Sequence, residues 1–265
     1  MNNFYRSAPS NFHSFVDWFA LSGVSFEVGE ITAYEAGMAL RAEKEARIAG
    51  PEAIDTPVQK PKTAASKPAT ANISLPEFTS IDELNAFSKA FRDLGLCKTA
   101  SSCVVGIGSL TPQLMVITDT PEDQEDRSGL AFSGLSNQMI QKALGFAGLE
   151  HANIYYTYLS KWRPPGKRAL TPQEAELCAA LLKQEIRLLR PQAILSLGES
   201  TLRAISPDSL TGGRKIPFIN TNENQILDYK MPFFASQKSE FLVKNTLMKK
   251  NFWFSLLEFA ATIRT

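Results

Sequence analysis

Between Leu114 and Gly134 the chain reads LMVITDTPEDQEDRSGLAFSG. Four apolar residues, Leu114 to Ile117, read as a buried strand. Asp119, Pro121, Glu122, Asp123, Glu125 and Asp126 then crowd the segment that leaves it, and Phe132 follows between small residues. A carboxylate at such a place can hold a water against a substrate, and an aromatic ring can stack on one. A second group, KWRPPGKR from Lys161 to Arg168, also follows an apolar run and carries Lys161, Arg163, Lys167 and Arg168. Cations on one loop can grip phosphates. Taken singly, each group reads as a solvated charged turn. Together they read as two walls of one site, because ligands of open α/β sheets gather outside the carboxyl ends of the strands.

The elements that must position these loops follow from periodicity. Strands are expected at Leu114–Ile117, Asn153–Tyr158, Ala193–Leu197 and Met231–Ala235. Helical spacing covers Ile81–Leu94, Gly134–Ala147, Thr171–Arg190, a short piece from Glu199, and Asn245–Ile263. Thr171, Pro172 and Glu174 fit an N-cap, a first-turn proline and a capping box. Strands alternating with helices indicate a three-layer α/β/α domain on a central four-stranded, mainly parallel sheet. Residues 80–265 would form it. Residues 1–48 read as a helical extension, with Phe15, Trp18, Phe19 and Leu21 on an apolar surface of the segment Phe12–Leu21. That surface serves either docking on its own domain or a protein partner. Residues 49–79 hold Pro51, Pro57, Pro61, Pro68 and Pro76 among Ala, Lys and Thr, a semi-extended linker composition.

Length, at 265 residues, allows one domain plus an appendage, and 44% hydrophobic content suits a real core. No apolar run approaches a membrane span and no signal pattern opens the chain, so a cytoplasmic monomer is expected. Cys97, Cys103 and Cys178 form no C-x-x-C, which argues against a disulfide framework or a zinc site. A formal net charge of +1 does not announce a nucleic-acid binder, although phosphate contacts need only a local patch.

The order TDTPE, then DRSGLAFSG, then WRPPGKR, then TPQEAELC resembles the uracil-DNA glycosylase superfamily, and most nearly its iron–sulfur branch, family four. The resemblance runs from about Cys97 to the C-terminus. It implies the three-layer fold, DNA containing uracil or a related damaged base as partner, and hydrolysis of the N-glycosidic bond. Such chemistry needs a group holding water beneath the sugar, donors for the departing base, and a ring against which the flipped base stacks.

Carried over position by position, the family's Gly-Glu-Ala-Pro-Gly motif falls on Thr118, Asp119, Thr120, Pro121 and Glu122. Asp119 would orient the water with a carboxylate one methylene shorter, and Glu122 replaces a glycine. Phe132 matches the base-stacking aromatic. The base-reading Asn has become Tyr158, which offers one hydroxyl where an amide offers a donor and an acceptor. In the last motif, His-Pro-x-x-Leu-Leu-Arg, the leaving-group His has become Lys238, whose ammonium would stabilise the departing anion, and the Arg has become Lys244. Arg163, Lys167, Arg168 and Lys244 would contact DNA. The family's four cluster ligands fall on Leu94, Cys97, Trp162 and Cys178, so no cluster and no other cofactor is expected. Two readings stay open: an enzyme running on substituted motifs, or a non-catalytic descendant that binds DNA or a protein.

Overall fold

The computed structural model describes residues 75–149, 153–206, 219–226 and 229–263. The expected helical extension and most of the expected linker lie outside the described residues. Leu75 and Phe78, from the end of that linker segment, pack on the hydrophobic core.

In chain order the elements are α1 (Ile81–Ala90), α2 (Gly95–Thr99), β1 (Ile107–Gly108), β2 (Leu114–Thr118), α3 (Asp123–Ser128) and α4 (Leu135–Leu144). A π-helical turn, Gly145–Leu149, leads to β3 (Ile154–Tyr158). Then come α5 (Pro172–Leu189), β4 (Ala193–Leu197), α6 (Glu199–Ile205), β5 (Ile219–Ile226), β6 (Tyr229–Ser236), α7 (Ser239–Lys244) and α8 (Thr246–Ile263). The sheet order is β1-β3-β2-β4-β6-β5. Its four inner strands, β3, β2, β4 and β6, are parallel and are the four expected from sequence. Two antiparallel edge strands, β1 and β5, extend it to six.

Strands β2 and β4 are buried at every position, which is why they read as continuous apolar runs rather than alternating ones. Successive side chains still serve opposite faces. Met115, Ile117, Ile194 and Phe233 join the cluster built with Leu177, Leu181 and Leu202 of α5 and α6. Phe234, one residue on, stacks at 5.8 Å on Phe252 and lies 5.6 Å from Phe259, both of α8. Helices α1, α5 and α6 therefore form one outer layer, and α4, α7 and α8 the other.

Helix α5 starts where its capping box predicts. Thr171 accepts from Glu174 N at 3.3 Å, and Glu174 Oε2 accepts from Thr171 N at 2.8 Å, an arrangement that contributes about 1 kcal/mol. The acidic segment differs from its reading as a loop, because Asp123–Ser128 is helical. Glu125 Oε2 accepts from Glu122 N at 2.6 Å, the first turn is acidic, and Gly129 closes the helix in the left-handed region at φ 70°. Asp126 accepts from the backbone N–H groups of Ser101 and Ser102 at 2.9 and 3.3 Å. These two acids thus fasten the chain, and Asp119 and Glu122 alone of the acids in this segment line a cavity.

The loops leaving the parallel strands are pinned side by side. Leu159 N donates to Thr118 O at 2.8 Å, Ser160 N to Asp119 O at 2.9 Å, and Gly198 N to Ser236 O at 2.8 Å. No helix among the described residues is long and apolar enough to cross a membrane.

Candidate active site

A cavity of about 300 Å³ opens at the carboxyl ends of these strands. Its floor comes from β2 and the loop after it, Thr118 to Glu122, and one wall from Arg163, Pro164, Lys167 and Arg168. Asn137 of α4 and Ser200 of α6 contribute, and Lys238, Ser239 and Glu240 close it from the end of β6.

Asp119 is 2% exposed. Its Oδ1 accepts from Thr201 N at 3.0 Å and Thr201 Oγ1 at 2.6 Å. Its Oδ2, also buried, lies 2.7 Å from Lys238 Nζ and accepts no hydrogen bond from another group among the described residues, so it keeps acceptor capacity. Gly198 makes the arrangement sterically possible. It sits at φ 113°, and a Cβ there would fall 2.5 Å from Asp119 Oδ1.

Thr118, Asp119, Thr120, Pro121, Arg163, Lys167, Arg168 and Lys238 are therefore brought together, whereas Phe132, Tyr158 and Lys244 are not among the lining residues. Phe132 is 1% exposed and Tyr158 fully buried. The Phe132 ring lies 4.8 Å from that of Tyr156 and 5.3 Å from that of Tyr158. Its backbone, at φ 56°, donates to the Tyr158 hydroxyl at 2.8 Å, which helps hold a conformation unfavourable for a bulky residue. Burial, reinforced by the nearby Glu125 carboxylate, pushes that phenol well above its ordinary range. Tyr156 and Tyr158 thus cover the Phe132 ring. Lys244 is exposed at the end of α7.

Sequence reasoning passed over Asn137. Buried on α4, it donates to Glu125 Oε1 at 2.7 Å and accepts from Ser239 Oγ at 2.9 Å, tying the cavity wall together. No local pattern distinguishes it from any polar residue of a helix. Glu122 is half-buried and its carboxyl is pushed up, by burial first and then by Glu125 and Glu240, against the lowering effect of the Ser136 hydroxyl.

The cavity's cations are each matched by a carboxylate. Lys167 pairs with Glu240 at 2.6 Å, Arg163 lies 3.5 Å from Asp123, and Arg168 makes two 2.7 Å hydrogen bonds to Glu174. Arg168 holds the Glu174 carboxyl below its usual range. The surface pairs are weak enough for a phosphate to compete for their lysine or arginine.

The positions that correspond to cluster ligands do not fit an iron–sulfur group. Cys97, Trp162 and Cys178 belong to the hydrophobic core, with Leu94 packed against it, and the Trp162 ring lies 6.0 Å from that of Phe91. Burial raises the Cys97 thiol to about 11 and Cys178 to about 12, and Leu94 and Trp162 offer no thiolate, so two of the four positions lack a ligand. Among the described residues no three His, Cys, Asp or Glu side chains are grouped to hold a metal ion.

An open parallel sheet with a carboxylate-bearing loop after β2 and an R-P-P-G loop after β3 defines a three-layer α/β/α protein with its site at a strand-end crevice. The family model of the uracil DNA glycosylase superfamily matches residues 105–257, more than half of the sequence. The chain belongs to the uracil-DNA glycosylase superfamily, and its affinities lie with the type-4 branch. It is 30% identical over 119 residues to the type-4 uracil-DNA glycosylase of Archaeoglobus fulgidus, covering 45% of this chain and 60% of that one. The type-4 enzyme of Thermotoga maritima is 27% identical over 126 residues, 48% of this chain and 63% of its own. That of Pyrobaculum aerophilum is 31% identical over 110 residues, 42% and 56%. The chain thus spans about 60% of the length of these curated relatives.

Proposed function

We propose that this protein hydrolyses the N-glycosidic bond of uracil or a related damaged base in DNA, a step of base-excision repair. The observation that carries the reading is the Asp119–Lys238 pair, 2.7 Å apart in the lining of a cavity where the sheet's loops converge. Asp119 is held from behind by Thr201, and its Oδ2, covered beside Lys238 in this structure, would accept from a water beneath the sugar once the lysine stem moves aside. As the bond breaks, the sugar becomes cation-like above that carboxylate, and the Lys238 ammonium stabilises the base that leaves as an anion. Arg163, Lys167, Arg168 and Lys244 would exchange carboxylate or solvent for DNA phosphates. A partner-binding role for the segment 12–21 belongs to the same proposal.

One observation favours a second reading, a non-catalytic descendant that binds DNA or a protein. Tyr158 packs on Phe132, where a flipped base would stack, and a base can reach that ring only if Tyr158 moves.

A labelled single-stranded oligonucleotide with one uracil, followed by alkali to break abasic sites, separates the two. Uracil release that Asp119→Ala abolishes supports the enzyme, and Tyr158→Asn, which empties the slot and restores an amide, should then increase it. Loss of the Lys238 ammonium should cost about 10²–10³ in rate. Oligonucleotide binding without release, even at high protein excess, would move the assignment to the second reading.

A further inference from the structure

We propose that Lys238 is also a nucleophile, and that the cavity captures the aldehyde of an abasic deoxyribose as a protonated imine and cleaves the strand on its 3′ side. The proposal rests on the proposed function for DNA reaching Asp119 and Lys238 in the cavity, and not on base excision itself.

Three features of the cavity support this. Lys238 is half-exposed, at 52%, while its partner Asp119 is buried at 3%, so an incoming group meets the amine before the carboxylate. Asp119 is immobilised by both Thr201 bonds, so the carboxylate keeps one position to which the lysine stem can return Nζ. The aromatic slot is closed by Tyr158, and the open volume is lined by hydroxyls (Thr118, Thr120, Ser200, Ser239) and by four cations with the carboxylates Asp119, Glu122 and Glu240 among them, but by no aromatic ring among the described residues. That lining suits a sugar phosphate better than a base. A sugar that has lost its base needs no slot.

The steps balance with no reagent beyond water. Lys238 gives one proton to Asp119, and its free electron pair attacks C1′ of the ring-opened sugar while the carbonyl pair moves to oxygen. That oxygen takes up two protons in all and leaves as water, and the nitrogen pair closes the C=N⁺ bond. Asp119, again a carboxylate, removes a C2′ proton. The C3′–O bond breaks, and the 3′ phosphate departs with its electron pair. Water then hydrolyses the imine and returns the Lys238 amine. Positioning of the amine and its base at one distance is what makes such a sequence fast.

The test uses the full chain and an oligonucleotide in which the abasic site is formed beforehand and freed of the reagent that made it. Sodium borohydride reduces the imine to a permanent link. The expected result is a covalent protein–DNA species that peptide mass spectrometry assigns to Lys238, together with strand cleavage when borohydride is omitted. Lys238→Arg keeps the cation and cannot form the imine, so it should lose both signals with an unchanged unfolding midpoint. No adduct with the wild-type chain, or an adduct on other lysines that survives in Lys238→Arg, overturns the proposal. Adduct formation without uracil release would sink the glycosylase reading and leave this one standing, and release without an adduct would do the reverse.

Discussion

Two lysine–carboxylate pairs sit about the carboxyl edge of the sheet, and their difference separates architecture from chemistry. Lys161 and Glu185 are 1% and 0% exposed and lie 2.5 Å apart. Tyr155 donates to Glu185 Oε1 at 2.9 Å, and Thr157 donates to the same carboxylate while accepting from Lys161. Every charge there has a partner, and neither residue lines the cavity. Lys238 and Asp119 are equally close, yet the lysine is half-exposed and Asp119 Oδ2 retains an acceptor site. The first pair ties the loop after β3 to α5 and fixes where Arg163 to Arg168 begin. The second presents an amine to whatever enters, with a buried carboxylate 2.7 Å behind it. Identical groups at similar distances are thus assigned by access, not by the strength of their contact.

The largest expected effect breaks the first pair. Lys161→Met or Glu185→Leu alone leaves an unpaired buried charge and should lower the unfolding free energy by about 3–5 kcal/mol, whereas the double change should recover most of it. Urea denaturation of the three variants checks this. A double variant as unstable as the worse single would mean that packing cannot replace the polar network. A smaller effect is expected at the second pair. Thr201→Val removes the 2.6 Å hydroxyl bond to Asp119 and should cost about 1–2 kcal/mol by the same titration. A cost matching that of Glu185→Leu would erase the distinction between the pairs.

The smallest effect concerns the carboxyl group beside the second pair. Glu122 has a folded-state pKa raised above its unfolded value, so the folded protein holds that proton more tightly. The group therefore weakens the fold at neutral pH, and the penalty disappears as pH falls through the folded pKa toward the unfolded one, about 4.3. Glu122→Gln should raise the midpoint of thermal unfolding slightly at pH 7 and leave it unchanged near pH 4. Glu174 runs the other way. Its lowered pKa stabilises the fold above the unfolded value and is lost in more acid solution, so Arg168→Ala should flatten that acid limb.

The inner sheet and α5 were legible in the sequence because burial on both faces and a capping box each leave a local signature. The edge strands were not. Ile107–Gly108 is too short to show a period, and Ile219–Ile226, INTNENQI, is polar without alternation. Helix α3 was hidden because its acids read as a charged turn, although Glu122 and Glu125 stand at capping spacing. Within the site, motif order located Asp119, the Arg163–Arg168 loop and Lys238. It could not reveal that Tyr158 packs on Phe132, or that Asn137 joins Glu125 to Ser239, because those contacts join residues far apart in sequence.

Gly198 carries a consequence for how this protein can change. Its absent side chain is the space that Asp119 occupies, and its backbone lies where other residues are strained. Positions 119 and 198 are therefore sterically coupled: a side chain at 198 would have to displace the Asp119 carboxylate, and it would keep the backbone strain of φ 113° even then. In a saturation-mutagenesis library, a residue with no side chain would score among the least replaceable. Shortening the side chain at 119 should relieve only the clash and restore stability to a Gly198 variant in part.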